Sequence, residues 1–480
     1  MPGPVDTALP TGLRVALDRQ ILAVDDGAVL FGGAPPRMLL LSQAARALLA
    51  DGGAFTVTDA TSAALARRLL DVGIAHPVTA PAAAVPAATD VTVVVPVKDR
   101  VAGLERLLAA LPAGLGGLVV VDDGSADPAA IRRVAERAGA RVLRHPAARG
   151  PAAARNAGLA VATTPLVAFL DSDVVPEPGW LEPLLACFAD PAVGLAAPRI
   201  VALPPIRGWL ATYEAVRSSL DMGPEAAPVV PRSRVAYVPS AALLVHRNAV
   251  GDGFDERMHV AEDVDLVLRL HAARWRMRYQ PVSRVAHDHR TTLRAWWLRK
   301  AYYGTGAAPL AQRHPGSVPP MVLTPSSAAV AALLLLGRPV AALGAVAVTA
   351  ASAERLARKL ELVRNPRPTA ARLVGLGTIG TLTQTADAVT RHYWPLALAA
   401  CLVSRRARRT VAAVALAEGV VDWWRRRGGD PRPTLAGHVL ARRLDDLAYG
   451  SGLWWGALRH RTVEPLRPIR PGPDTMSRVG

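Results

Sequence analysis

Cysteine is almost missing from this 480-residue chain, and the two that occur, Cys187 and Cys401, lie far apart. That excludes a disulfide scaffold and a cysteine zinc cage. Aromatic residues make up only 5%, and none of them interleave with basic residues as a nucleic-acid stacking platform requires, so no nucleic-acid partner is expected. The opening MPGPVDTALP lacks both a cationic stretch and an apolar core. It reads as no secretory signal, so the active domain is expected in the cytoplasm. The chain is not short of positive charge: the formal net charge is +17, and residues 351–480 hold 22 Lys+Arg against 10 Asp+Glu. A basic surface of that kind suits anionic lipid or phosphorylated ligands.

The length suggests two or three domains. Residues 1–76 form a small unit in which RVALD, ILAVD and AVLFGG read as short strands. Ser42 can cap a helix through Leu49, and Thr61 to Leu70 has helical spacing. Residues 77–90, rich in Pro and Ala, read as a linker. From Val91 the pattern alternates strand and helix to about residue 320: TVVVPV, Leu104–Leu111, LVVVDDGS, Pro128–Ala138, RVLRH and Pro165–Leu170. Such a succession predicts a doubly wound sheet with its ligand at the carboxyl ends of the strands. Residues 321–480 are helical, basic and membrane-prone. Ser326–Leu336 and Val340–Ser352 are apolar but split by Arg338-Pro339, and each is shorter than the ~20 residues of a full span. A hairpin or interfacial pair on the inner face of the cell membrane fits these segments better than one clean span, with integral anchoring left open; the alternative is a soluble helical domain with a solvated basic face.

Carboxylates recur where apolar runs end. Leu166–Leu170 runs into Asp171-Ser172-Asp173, LVVV into Asp122-Asp123-Gly124-Ser125, and Glu262-Asp263 opens the amphipathic EDVDLVLRLHAARW. A carboxylate at an apolar edge is costly unless a cation or hydrogen bonds compensate it. Two acidic side chains spaced i, i+2 at a strand end can approach one hard divalent cation, with phosphate oxygens completing its shell; an isolated DxD is also a common solvated turn. The DDGS segment either ends a strand or offers a carboxylate to a nucleobase imide or ribose hydroxyl. Arg155, in RGPAAARNAG, either approaches phosphate or makes an ordinary ion pair. Glu262-Asp263 either complements a helix dipole or supplies a general base for an acceptor hydroxyl. In His287-Asp288-His289-Arg290, one histidine could ligate the metal.

Taken in order, VVVPVKDR, VVVDDGS, RGPAAARNAG, FLDSD, EDVDLVLRL and HDHR resemble the family 2 glycosyltransferases, over about Val91 to Gly306. The resemblance implies an α/β GT-A (Rossmann-like) sheet and inverting, metal-dependent transfer from a nucleotide-sugar, most often a UDP-sugar. By motif position it implies that Pro96, Asp99, Asp122 and Asp123 line the nucleoside site, and Arg100, Arg155 and Asp171 are further candidates for binding the nucleotide-sugar. Asp171 and Asp173, with His287, would hold Mg²⁺ or Mn²⁺ against the diphosphate, and Asp263 would be the catalytic base. Glu262, Trp296, Trp297 and Arg299 fall in the acceptor and phosphate region. The chain departs from the processive synthases of this family: LRAWWLRKAYYG stands where they carry QxxRW, which argues against a cellulose- or chitin-type enzyme.

The first 76 residues, with LLLSQAARALLADGGAFTV, resemble the PqqD-like peptide-recognition elements, small α+β winged-helix-like units that take up a peptide as an added strand. Together the regions resemble the mycofactocin-system glycosyltransferases. That resemblance implies β-linked glucose, possibly added repeatedly, passing from UDP-glucose to a peptide-derived redox cofactor. Two rivals remain open: transfer to a polyprenyl phosphate or cell-envelope glycan, and a peptide-binding adaptor whose transferase domain is inactive.

Overall fold

The structure is a computed structural model that describes residues 1, 3–4 and 8–471. Its N-terminal unit comprises β1 (Arg14–Leu17), β2 (Leu22–Val24), β3 (Val29–Gly32), β4 (Arg37–Leu40), α1 (Gln43–Leu48), β5 (Ala54–Thr56), α2 (Ala60–Asp71) and β6 (Ala75–Thr79). The strands form two antiparallel sheets of order β5-β1-β6 and β2-β3-β4. Helix α2 starts where a capping box forces it to: Asp59 accepts from Ser62 N at 2.7 Å while Ser62 Oγ accepts from Asp59 N at 3.0 Å. The three expected strands are β1 to β3. β4, β5 and β6 lacked enough alternation to be read, and β6 carries the unit three residues past its expected end.

This unit is clamped to the next domain. Arg67 makes two 2.8 Å bonds to Asp190, and Arg276 reaches Asp71 at 2.8 Å. Paired guanidinium–carboxylate contacts fix orientation as well as distance.

The central domain contains β7 (Val91–Val97), α3 (Val101–Ala109), β8 (Gly117–Asp123), α4 (Pro128–Arg137), β9 (Arg141–His145), α5 (Pro151–Val161), β10 (Leu166–Leu170), β11 (Val174–Pro176), α6 (Leu181–Cys187), β12 (Val193–Ala202), α7 (Trp209–Arg217), β13 (Ala227–Pro228), β14 (Ala242–His246), α8 (Arg247–Val250), α9 (Glu262–Ala272), β15 (Arg276–His287), α10 (Leu293–Thr305) and α11 (Ala307–Arg313). Its sheet runs β11-β15-β12-β14-β10-β7-β8-β9, with β13 on β15. The β10-β7-β8-β9 half is parallel. Antiparallel β14 joins it to a mixed half that the sequence did not disclose.

Alternation along β7 builds a core on each face. Val91, Val93, Val95 and Val97 pack with Leu104 and Leu107 of α3, and Val94 packs with Ala152 and Ala154 of α5. The chain order reverses between β7 and β10, which opens a crevice beyond their carboxyl ends. Gly103 lets α3 enter that crevice closely: a Cβ there would stand 2.4 Å from Ser172 O.

The C-terminal region is helical: α12 (Pro325–Leu335), α13 (Pro339–Ala357), α14 (Pro366–Asp387), α15 (Trp394–Val403), α16 (Arg405–Arg426) and α17 (Leu435–Arg459). The break at Arg338-Pro339 is present, and α13 alone is long and apolar enough to cross a membrane by length and composition, among the described residues. Leu343, Val346, Leu376, Ile379, Leu398, Leu402 and Val403 are exposed on these helices. The β2-β3-β4 sheet rests on Leu360, Val363 and Ala370, and α17 packs beside α10 with Gly304 and Gly452 at their closest approach.

Candidate functional site

Three strand ends and one helix start meet in the crevice. Beyond β7, Asp99 adopts a left-handed φ of 56° and its Oδ1 accepts from Ala126 N at 2.7 Å. Its own N–H donates to Ser125 Oγ at 2.9 Å, and Ser125 N donates to Asp122 Oδ1 at 2.9 Å. The β7 and β8 loops are thus one hydrogen-bonded unit. Pro96 lies buried inside β7, in register with Val121.

Asp122 and Asp123 do not present free carboxylates to the crevice. Asp122 is ion-paired to Arg144. Asp123 accepts from Arg149 N and Gly150 N at 2.8 Å each and lies 2.7 Å from His145 Nδ1. Burial works to raise the Asp123 pKa, but these hydrogen bonds outweigh it and hold the carboxyl below its ordinary value. Both residues therefore shape the wall and pin the loop before α5; direct contact with a nucleoside, as expected from the motif, would require their present partners to be displaced.

The open question over Arg155 is resolved in favour of ion pairing. Its side chain is buried, and it donates from Nη2 to Asp171 Oδ1 at 2.6 Å and from Nη1 to Glu262 Oε1 at 3.0 Å. One guanidinium thereby joins the DxD strand end to the acidic start of α9. Glu262 also accepts from Ser240 Oγ at 3.4 Å; it is a buried structural partner and not, as expected, part of an acceptor surface.

Asp171 and Asp173 both have raised pKa values, with burial the leading cause, and Asp173 raises Asp171 further. Asp173 Oδ1 is buried with no hydrogen-bond partner, and His287 Nε2 lies 3.5 Å from it. Burial lowers the His287 pKa to about 4, so this imidazole is neutral and has a lone pair to offer. Two carboxylates that repel each other, an orphaned oxygen and a neutral histidine suit a divalent cation of the Mg²⁺ or Mn²⁺ kind. Among the described residues no three such side chains already converge as a cage, so ligand oxygens would have to complete the shell.

Around Asp173 stand Arg100, whose Nη1 is 3.6 Å from Asp173 Oδ2, and Arg299 and Arg290, both of which interact with it electrostatically. Arg299 lies over the Tyr302 and Tyr303 rings at 5.8 and 5.7 Å. Burial and the neighbouring Arg299 and Arg100 lower the Arg290 pKa. Three guanidinium groups held this closely favour a polyanion such as a diphosphate. Arg290 was visible in HDHR but gained its role only when β15 ended beside β11, the strand that follows Asp173.

Asp263 sits half-buried at the start of α9, after Ala261, which takes a left-handed φ of 65°. Such backbone strain in a non-glycine residue clusters at functional sites. Asp263 accepts from Ser240 N at 3.1 Å and from Val264 N at 2.8 Å. Burial, then repulsion from Glu262, pushes its pKa up to about 7. Tyr237 and Tyr303 are its aromatic neighbours; neither carries a sequence signal.

Trp296 is a correction. It was expected in the acceptor region, but its side chain is buried and its Nε1 donates to Glu214 Oε1 at 2.7 Å. It packs with Leu210, Tyr213 and Ala441, and it locks α10 against α7 and α17. Trp297 is partly buried at the edge of the same cluster.

Residues 92–230 match the profile of Glycosyl transferase family 2, and residues 166–375 match Glycosyl transferase family group 2. The chain is 47% identical over 470 residues to the Pre-mycofactocin glycosyltransferase of Mycobacterium tuberculosis, covering 96% of this chain and 98% of that protein. Over 129 residues it is 35% identical to the Validoxylamine A glucosyltransferase of Streptomyces hygroscopicus, covering 24% of this chain and 28% of the relative. A mannosyltransferase of Pyrobaculum calidifontis, solved with GDP-Man and Mn²⁺, is 22% identical at a TM-score of 0.36, covering 62% of this chain and 86% of that one.

Proposed function

Because this chain belongs to the pre-mycofactocin glycosyltransferases within family 2, we propose that it moves glucose from UDP-glucose, with inversion to a β-linkage, onto a peptide-derived redox cofactor of the mycofactocin type. Repeated addition to the same acceptor belongs to this reading. The observation that carries it is Asp263: a half-buried carboxylate with a pKa of about 7, fixed by two backbone N–H groups beside the Arg155–Asp171 pair.

A general base works best when its pKa is near the operating pH. Asp263 takes the proton of an acceptor hydroxyl as that oxygen attacks the anomeric carbon. The bond from that carbon to the diphosphate oxygen breaks with its electron pair, and UDP departs. Arg100, Arg290 and Arg299 face the charge that develops on the leaving group. Asp171, Asp173 and His287 are the residues that would hold Mg²⁺ or Mn²⁺, and a bound cation would offset the same charge.

The N-terminal unit is read as the peptide-recognition element. Its β5 and β6 are edge strands, available for an added strand among the described residues. The exposed apolar helices α13 to α16, with Arg405, Arg406, Arg408 and Arg409 at the start of α16, support association with the inner face of the membrane. That same face favours the second reading, an acceptor carried on a polyprenyl phosphate.

The deciding experiment incubates the full-length protein with UDP-glucose, Mn²⁺ and either acceptor. Mass spectrometry should show hexose addition to the peptide-derived acceptor, and the anomeric proton coupling should show a β-linkage. Transfer to the polyprenyl phosphate alone, or an α-linked product, would reject the proposal.

A further inference from the structure

A cavity of about 330 Å³ lies between the central domain and the C-terminal helices, lined by Tyr237, Gln384, Arg391, His392, Arg442 and Asp445, among others. None of the sequence motifs reaches it. It adjoins the catalytic base along one short segment: Tyr237 lines the cavity, and Ser240, three residues on, holds Asp263 through its N–H. Tyr237 also feels the charge of Asp263 directly.

We infer that this cavity is an acceptor subsite for a neutral polyhydroxyl group, a sugar unit already attached to the acceptor. The inference rests on the transferase reading above and extends it to which part of the acceptor the C-terminal helices hold.

The lining chemistry selects that class. Arg217, Arg391 and Arg442 are matched by Asp221, Asp387 and Asp445. Each charge also has a partner: Asp221 is engaged by Arg199 at 2.8 Å, Arg442 is ion-paired to Asp387, and Arg217 and Arg391 lie 3.4 Å from Asp422 and 3.6 Å from Asp446. A wall whose charges already balance gives no net field to draw in an anion or a cation. It still carries unspent hydrogen-bonding capacity. Asp445 is 4% exposed, and its Oδ1 makes no hydrogen bond, its ion-pair partner Arg391 Nη1 standing 3.8 Å away, while Oδ2 accepts from Tyr213 Oη at 2.9 Å. His392 Nδ1 is buried and unbonded as well. A hydroxyl both donates and accepts, so a sugar can satisfy an orphaned carboxylate oxygen and an imidazole nitrogen together. The volume lies at the lower end of small-ligand sites, enough for a short glycan stub but not for a peptide and its sugars together.

The two halves of the cavity come from different regions. Tyr237 belongs to the central domain, whereas Gln384, Arg391, His392, Arg442 and Asp445 lie on α14, the segment after it, and α17. The cavity is therefore complete only when the C-terminal helices are docked against the segment that carries Tyr237. This arrangement assigns the helical region a role in catalysis besides any contact with membrane.

The test uses full-length protein and cellobiose as a neutral disaccharide probe. Hydrogen exchange of the wild type should slow at residues 384–392 and 442–445 when cellobiose is added, and glucose 6-phosphate should compete no better than cellobiose. Ser219→Phe, which fills the cavity without changing its charge, should raise the KM for cellobiose as acceptor at least tenfold and leave the KM for UDP-glucose within twofold. Exchange unaltered by cellobiose overturns the subsite even if the variant misfolds, and so does an acceptor KM that Ser219→Phe leaves unchanged. Stronger competition by glucose 6-phosphate overturns the neutral-ligand assignment. A wild-type protein that never releases UDP from UDP-glucose counts against the transferase reading instead, so the two failures are distinct.

Discussion

Arg155 Nη2 stands 2.6 Å from Asp171 Oδ1, and through its other nitrogen the same guanidinium reaches Glu262. The contact ties the strand that carries the candidate metal ligands to the helix that carries the candidate base. Removing one partner of a buried ion pair leaves an uncompensated charge and costs about 3–5 kcal/mol. Arg155→Met should lower the urea midpoint accordingly and also lower kcat, and Arg155→Lys should recover part of the stability. A variant as stable as the wild type would mean that the pair carries no structural load.

Activity should rise with pH through about 7, the value to which burial and Glu262 push Asp263. The base must be deprotonated, so the acidic limb of kcat should fall below that pH. Asp263→Asn should cost about 10²–10⁴ in kcat and erase the limb.

The same shift has a stability sign. Between the unfolded value near 3.9 and the folded value near 7, the folded state binds the extra proton. This group's contribution is therefore present below pH 4 and is lost as pH rises to 7. The drop in melting temperature from pH 5 to pH 8 should be smaller in Asp263→Asn than in the wild type.

Asp173→Ala should abolish Mn²⁺-dependent UDP release, and titration calorimetry should no longer register Mn²⁺ binding in the presence of UDP. UDP release at the wild-type rate would remove Asp173 from the metal site.

Trp296→Ala should destabilise by about 3–5 kcal/mol, as for other buried aromatics cut back to alanine. Its indole fills the junction of α7, α10 and α17. Thermal unfolding measures the loss, and the KM for UDP-glucose should change less than twofold.

Binding to vesicles should need anionic lipid and should weaken as salt is raised, because Arg405, Arg406, Arg408 and Arg409 face solvent beside exposed Leu398, Leu402 and Val403. Co-sedimentation with phosphatidylglycerol vesicles at low and high salt tests this. Equal binding to neutral vesicles at both salts would point to a purely apolar anchor.

Much of the site was legible because strand ends carry their own signal. An apolar run that ends in Asp171-Ser172-Asp173 or Asp122-Asp123 places carboxylates at a sheet edge whatever the rest of the chain does. The roles within those motifs were less legible. Asp122, Asp123 and Glu262 look alike as letters, yet each is already engaged by partners that only folding supplies. Trp296 in LRAWWLRKAYYG looked like a surface aromatic because the partner that buries it, α17, lies about 145 residues further on.

The sequence by itself determined the alternating β-α order, the acidic strand ends, the helix start at Glu262-Asp263 and the basic apolar tail, since these rest on local periodicity and spacing. Only the tertiary structure decided that Arg155 ion-pairs with the DxD strand, that Arg290 and Arg299 surround Asp173, and that the segment holding Asp263 runs through Tyr237 to a cavity walled by α14 and α17. Those relationships depend on burial and on charges brought together from distant parts of the chain, and spacing along a sequence carries no record of either.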